Sequence, residues 1–507
     1  NATVNKVAGV HSLKAGFEFR ALRANFQLPV SNFGTFGFNR GFTQRDPLRG
    51  DTASGNGFAT FLLGFPASGS VAYNIASAYQ MLYWAGFFQD DWRVNSRLTL
   101  NLGLRWDCEG PLSERYDRQN RGFDRAAKSQ LQAPGLDLRG GLLFTDKDAR
   151  LPFQRDLNNW QPRAGFALRV NSLTVLRGGV GLTYMPTFDR GGSLGFSTAT
   201  GFVASTDGGL TPAGRLRDPY PSGILQPPGR RDGLLTLIGQ SISYGYFERE
   251  IPNTWQFSLG IQRQLPWRTM VDVSYIGSRS KDMATSQNIN AISAEDLKRG
   301  NDLLTQVPNP LAGKLPGSAF NGATVPRQQL LRPYPHFNNI TQVQYPAGHT
   351  AYNSLQISLE KRLSGGLHFR GSYTWSKNMT ATGYLNAQDP IDTPVWSQAG
   401  APNLVFTLSG GYAPPFFAKA KGLRGQLGGW QTNFIFRAMT GNLVGAPGGA
   451  YSSGVNPKLA RPTWDRWFNT CTVTTAGVRQ SCASPDEPVA WIQQPPFTLR
   501  TLGSNLP

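Results

Sequence analysis

The plainest pattern in the chain is Leu98 to Asp107, LTLNLGLRWD. There Leu98, Leu100, Leu102, Leu104 and Trp106 alternate with Thr99, Asn101, Gly103, Arg105 and Asp107. Strict alternation puts one class of side chain on each face of an extended strand. Ten residues exceed the typical soluble strand and match a tilted strand crossing a bilayer.

The same period recurs in Ala164, Phe166, Leu168 and Val170, in Leu176 to Tyr184, and in Trp255, Phe257, Leu259 and Ile261. It returns in Leu355, Ile357 and Leu359, in Leu367 to Trp375, in Leu404, Phe406 and Leu408, and in Trp430, Phe434 and Phe436. Weaker runs near Leu13 to Phe19, Trp84 to Phe88 and Val271 to Tyr275 bring the expectation to roughly fifteen strands. Parity predicts Leu100, Leu102, Leu104, Phe166, Leu168, Leu182, Leu259 and Ile357 on a lipid face. It places Thr99, Asn101, Arg105, Arg169 and Gln256 on a lumen face.

The connections alternate as well. Short links at 91–97, 170–172, 265–269 and 364–366 separate long stretches at about 108–161, 186–252, 278–351 and 377–402. Short turns on one rim and long loops on the other characterise an outer-membrane barrel, the long loops lying outside. A soluble sandwich has no reason to sort its loops in this way. Within one long stretch, Ser293 before Ala294, Glu295 and Asp296 reads as an N-cap with an acidic first turn, predicting a short helix over Ala294 to Leu304. The fold class expected is therefore all-β, a large antiparallel transmembrane barrel.

Composition agrees. The 507 residues are 39% hydrophobic, 12% aromatic and 16% charged, too aromatic and too weakly charged for a disordered chain. No run approaches the roughly 20 apolar residues of a membrane helix, and alternation keeps a barrel's average hydropathy low. A formal charge of +19 comes from 12 Lys and 38 Arg scattered without a basic tail. Nucleic acid needs a concentrated patch, so it is not an expected partner; anionic lipid headgroups or an anionic solute fit better.

Candidate chemistry is sparse. Gly191-Gly192-Ser193-Leu194-Gly195 matches G-x-S-x-G, but it sits in a Gly-rich stretch without the strand and helix that a nucleophile elbow requires. His11, His336, His349 and His368 lack metal-ligand spacing, and no phosphate loop occurs. No enzyme activity, metal or cofactor is expected. Cys471 and Cys482 are compatible with a loop disulfide in an oxidising compartment, or with two unrelated thiols.

Trp92, Trp106, Trp160, Trp267, Tyr275 and Trp375 are read at strand ends, where amphipathic rings suit the headgroup layer. Arg20, Arg105, Arg163, Arg169, Arg177, Arg370 and Arg437 fall on the polar parity and are candidates to line the lumen. They either make an electropositive interior or pair with carboxylates such as Glu18 and Asp107.

Several segments resemble the barrel of Oar-like TonB-dependent transporters: HSLKAGFEFR at 11–20, FFQDDWRVNSRLTLNLGLRWD at 87–107, and WQPRAGFALRV with LTVLRGGVGL at 160–182. VDVSYIGSRS at 271–280, QLLRPYPHF at 329–337, YNSLQISLEKRLSGGLHFRGSYTWSK at 352–377 and LGGWQTNFIF at 427–436 extend the likeness over nearly the whole chain. The resemblance implies a parent barrel of about 22 strands closed by a plug domain. It also implies an N-terminal carboxypeptidase-regulatory-like domain and a periplasmic segment that engages TonB. None of these is read in residues 1–507, and the family continues beyond RTLGSNLP, so the chain is expected to be a barrel portion. The implied function is TonB-dependent uptake of a large, unidentified solute, with outer-membrane lipid and the parent's plug as partners. Two other readings stand: a passive porin or surface adhesin on the same barrel, and a secreted soluble all-β glycan-binding protein.

Overall fold

Twelve strands lie side by side in sequence order in one antiparallel meander of the computed structural model. They are β1 (Ala2–Ala8), β2 (His11–Phe26), β3 (Ser77–Arg93), β4 (Leu98–Glu109), β5 (Trp160–Arg169) and β6 (Thr174–Tyr184). The second half is β7 (Asn253–Leu265), β8 (Thr269–Asn288), β9 (Ile340–Ser364), β10 (Leu367–Ala381), β11 (Leu404–Tyr412) and β12 (Thr432–Met439). The structure describes residues 1–27, 32–187, 191–400, 402–415, 422, 429–442 and 450–500. Residues 427–428 of the LGGWQTNFIF segment and 501–507 of the terminal RTLGSNLP lie outside these.

The register carries one face of the sheet across many strands. Leu100 pairs with Phe166, Phe166 with Gly178, Gly178 with Leu259, Leu259 with Tyr275 and Tyr275 with Leu355. Asn101 pairs with Gly165, Gly165 with Gly179, Gly179 with Ser258 and Ser258 with Ile276 on the other face. Because side chains alternate strictly along a strand, the eight apolar positions named for the lipid face share one surface and the five polar positions share its reverse. The apolar surface is bare of protein: Leu104 is 43% exposed and Leu259 52%. A water-soluble sheet would cover such a surface.

Turns at one rim are short, at 9–10, 94–97, 170–173, 266–268 and 365–366, with the longer connection 413–431 as the exception, and the connections at the other rim run through 27–76, 110–159, 185–252, 289–339 and 382–403. The tight turn at 365–366 needs two left-handed residues and has Gly365 and Gly366, with φ of 60° and 79°. At 267–268 the same region is occupied by Trp267 and Arg268, with φ of 57° and 55°, a strained choice that leaves Trp267 81% exposed.

Three expectations change in the structure. β8 and β9 run past the bounds read for them, to Asn288 and from Ile340, as a hairpin broken by register shifts between Ser280 and Ser286. Tyr275 therefore lies inside β8, and Trp375 inside β10, which runs on to Ala381, rather than at strand ends. The helix expected over Ala294 to Leu304 is a four-residue helix, Ala294–Leu297, then a 3-10 turn, Gly300–Leu304, because Gly300 takes a φ of 55°. Its N-cap is as read, Ser293 accepting from the Asp296 N–H.

The long connections fold together into a cap. Strand 120–128 pairs with 139–144, strand 242–245 runs parallel to the start of β9, and a small sheet joins 35–37, 68–74 and 197–201. Phe123, Leu142, Ile242, Tyr244, Phe337 and Ile340 form a core beneath them, and Leu138, Leu311 and Leu315 form a second. Burying each of these large apolar side chains contributes about 1.5–3 kcal/mol.

Candidate functional site

All seven arginines read on the polar parity lie on one face of the meander, as successive pairs require: Arg163 opposite Gly181, Arg177 opposite Gly260, Arg370 opposite Ser409, and Arg437 opposite Thr407. The structure brings some of them into networks. Arg105 Nη2 donates to Tyr83 Oη at 2.6 Å and its Nε to Asp107 Oδ2 at 3.2 Å, while Tyr83 donates to the same carboxylate at 3.1 Å. Glu18 accepts from Arg20 Nε at 2.6 Å and lies 3.6 Å from Arg105, and the Arg20 guanidinium sits over the Tyr83 ring. Arg177 pairs with Asp272.

The pairing is partial. Arg163 donates to Gln89 Oε1 at 2.8 Å, and no ion pair forms at Arg163, Arg169, Arg370 or Arg437 among the described residues. The face consequently keeps an excess of guanidinium. Next to Arg105 and Arg163 lies an open trough of about 570 Å³ floored by Gly165, Gly179 and Gly181, with Asn101, Gln161 and Gln256 around it. Donors and acceptors around a floor without side chains suit a hydrated or polar partner surface.

A second hollow, of about 500 Å³, lies in the cap between Arg121, Arg125, Tyr244, Tyr246 and Tyr345. Arg125 Nη2 and Tyr244 Oη both donate to Gln342 Oε1, at 2.6 and 2.7 Å. The Arg121 guanidinium sits 4.4 Å from the Phe247 ring centre, and the Tyr246 and Tyr345 rings are 4.8 Å apart. Burial pushes the Tyr244 hydroxyl above its ordinary pKa, so it stays protonated and donates. Deeper in the cap His336 is fully buried beside Phe337, and desolvation lowers its pKa to about 4.

The remaining candidates resolve by position. Cys471 and Cys482 form a disulfide inside the segment 450–500, where Arg466 holds Glu487 at 2.6 Å and keeps that carboxyl below its usual pKa. The one group of potential metal ligands among the described residues is Cys471, Cys482 and Glu487, and the disulfide occupies both sulfurs. Ser193 lies in a turn whose carbonyl accepts from the Phe196 N–H, with no helix after it. His11 holds Asp90 at 2.7 Å on the apolar face, opposite Leu13 and Leu102 in register, a polar insertion that period-two reading passes over. His349 stacks near Trp396 and His368 lies in β10.

The family described as "Outer membrane beta barrel domain" matches residues 1–504. No curated protein matches the chain in sequence. Among solved structures, the outer membrane transporter YddB from Escherichia coli is 10% identical with a TM-score of 0.38, covering 81% of this chain and 38% of its own. The siderophore receptor PirA from Acinetobacter baumannii is 10% identical with a TM-score of 0.34, covering 86% and 46%. The chain thus spans less than half the length of these structures.

Proposed function

This chain belongs to the outer membrane beta-barrel domain family, in the outer membrane of a Gram-negative bacterium, and from that premise we propose that it is the wall and outer cap of a plugged, TonB-dependent uptake barrel. The apolar face meets lipid and the polar face lines the lumen. One observation carries the reading: the polar face holds more guanidinium than its carboxylates neutralise, with Arg163, Arg169, Arg370 and Arg437 free of ion pairs among the described residues. Such a surface fits an acidic plug inside the barrel and draws anionic solutes through it. The Oar-like character of the segments at 11–20, 87–107 and 352–377 supports the TonB coupling. The arginine–tyrosine hollow in the cap is the proposed first contact for the solute, offering cation–π and charge-assisted hydrogen bonds.

Planar-bilayer recordings on the full-length natural protein test this. A plugged transporter gives no steady conductance, and deleting its plug segment opens a large, anion-preferring pore. A full-length protein that conducts steadily is a porin, and the transport proposal then fails.

A further inference from the structure

Where the apolar face meets the long-connection rim, β2, β3 and β4 and the connection 110–159 enclose a concavity of about 940 Å³. Its floor includes Leu82 and Trp84 from β3 and Trp106 and Cys108 from β4. These positions share parity with Phe88, Leu102 and Leu104, so the concavity opens sideways along the apolar face and not into the trough beside Arg105. Trp106 is fixed there by donating Nε1–H to the Leu157 carbonyl at 2.9 Å, and Trp160 packs beside it with ring centres 6.2 Å apart.

The upper wall is basic. Arg23, Arg115, Arg150 and Arg155 line it against one carboxylate, Asp148. Arg150 is committed to the loop, its Nε to Asp117 and its Nη2 to the carbonyls of Glu114 and Arg115. Among the described residues Arg23 donates one N–H, from Nε to Gln80, and its terminal nitrogens have no partner there. Arg115 rests near the Tyr116 ring, and neither it nor Arg155 is ion-paired among the described residues. Asp148 faces solvent and its near cation is Lys147, 3.7 Å away. Exposed guanidiniums from two separate parts of the chain thus converge directly above two tryptophans.

Guanidinium matches phosphate geometry, cations at a membrane surface draw anionic headgroups, and tryptophan settles at headgroup depth. We propose that this concavity is a binding site for the phosphate headgroup of an outer-leaflet lipid. Arg23, Arg115 and Arg155 contact the phosphate, and Trp84 and Trp106 lie against the upper part of its acyl chains. The site rests on the lipid-facing reading of the apolar face but not on transport.

Native mass spectrometry of the full-length natural protein, taken from phosphatidylcholine nanodiscs doped with phosphatidic acid, tests the assignment. The wild type retains phosphatidic acid over phosphatidylcholine. Each of Arg23→Gln, Arg115→Gln and Arg155→Gln lowers that retention by about fivefold, and the triple variant lowers it further. A control triple, Arg49→Gln, Arg231→Gln and Arg299→Gln, removes equal charge elsewhere and leaves retention unchanged. The six positions are exposed, and an unchanged melting temperature for each single variant establishes that it is folded. Equal retention by wild type and triple variant overturns the site. Displacement of the lipid by inorganic phosphate at matched concentration also overturns it, because the site then takes a soluble anion. Bilayer conductance is measured on the same variants: a steadily conducting protein that still retains phosphatidic acid defeats the uptake proposal and leaves the lipid site standing.

Discussion

The strand wall and the loop cap are built from one chain on opposite rules. In the wall, Leu104 and Leu259 leave about half of their surface uncovered by protein, and the backbone ladder holds the strands while lipid supplies the apolar cover. In the cap, Leu303, Leu315, Phe337 and Ile340 are wholly enclosed by other side chains, as in a small water-soluble domain. The lesson is that hydrophobic patterning reports the solvent of each segment: period two with a bare apolar face where hydrocarbon is near, scattered apolar residues meeting in clusters where water is.

The sharpest test of that division is Phe337→Ala. Its ring is fully buried against Phe123, so the substitution is expected to cost the cap about 3–5 kcal/mol. Hydrogen exchange should accelerate in 120–144 and 234–242 and stay slow in β4 to β7. Equal acceleration in the wall would mean that the two regions fold as one unit.

Next in size is Leu102→Arg. On the lipid face near the middle of β4 it should destabilise the inserted full-length barrel by about 2–4 kcal/mol, and Leu98→Arg near the short-turn rim by much less. Asn101→Arg, one residue away on the polar face, should cost little, since Arg105 and Arg163 already lie beside that trough. Folding titrations into lipid vesicles measure all three. A uniform penalty at Leu98 and Leu102 would contradict a membrane location for this face.

The third effect is acid-dependent and confined to the cap. Burial lowers the His336 pKa from 6.5 to about 4, so the unfolded cap takes up a proton more readily than the folded one. Its contribution is intact above pH 6.5 and is lost as the pH falls from there toward 4, a change of about 3 kcal/mol at most. Exchange in the cap should rise across that window, and His336→Phe should flatten the dependence; an unaltered profile in the variant would place the acid sensitivity elsewhere.

The smallest effect is Gly103→Ala. Its Cβ would stand 2.5 Å from Arg163 Nε, a flexible side chain that can yield, so stability should fall by less than about 1 kcal/mol. A crystal structure of the variant should have Arg163 moved off Gln89. Unmoved, it would indicate a wall more plastic than its ladder implies.

Much of the wall was legible because each strand carries its own signal: Leu98–Asp107 and Thr174–Tyr184 needed no partner to be read. The parity of the seven arginines followed from the same rule. β1 escaped because ATVNKVA alternates weakly on an exposed edge. The outer end of β8 escaped because SRSKDMATSQN is polar at nearly every position and so displays no apolar period, and that of β9 because its buried positions, Ile340 and Gln342, mix apolar with polar. The pairing of Arg105 with Tyr83, the cap hollow and the basic concavity above Trp106 were out of reach, since each joins residues from separate strands or loops that only the tertiary structure brings together.

The sorting of long connections to one rim bears on how such a molecule is made. A cap with its own packed cores is too large and too polar to pass through hydrocarbon once formed. The connections must therefore be threaded across as open chain while the strands pair, and Phe123, Phe337 and Ile340 can meet only on the far side. Once these cores have packed, withdrawing a hairpin whose connection contributes to them would require opening the cap, so the packing of the cap adds to the barrier against leaving the bilayer.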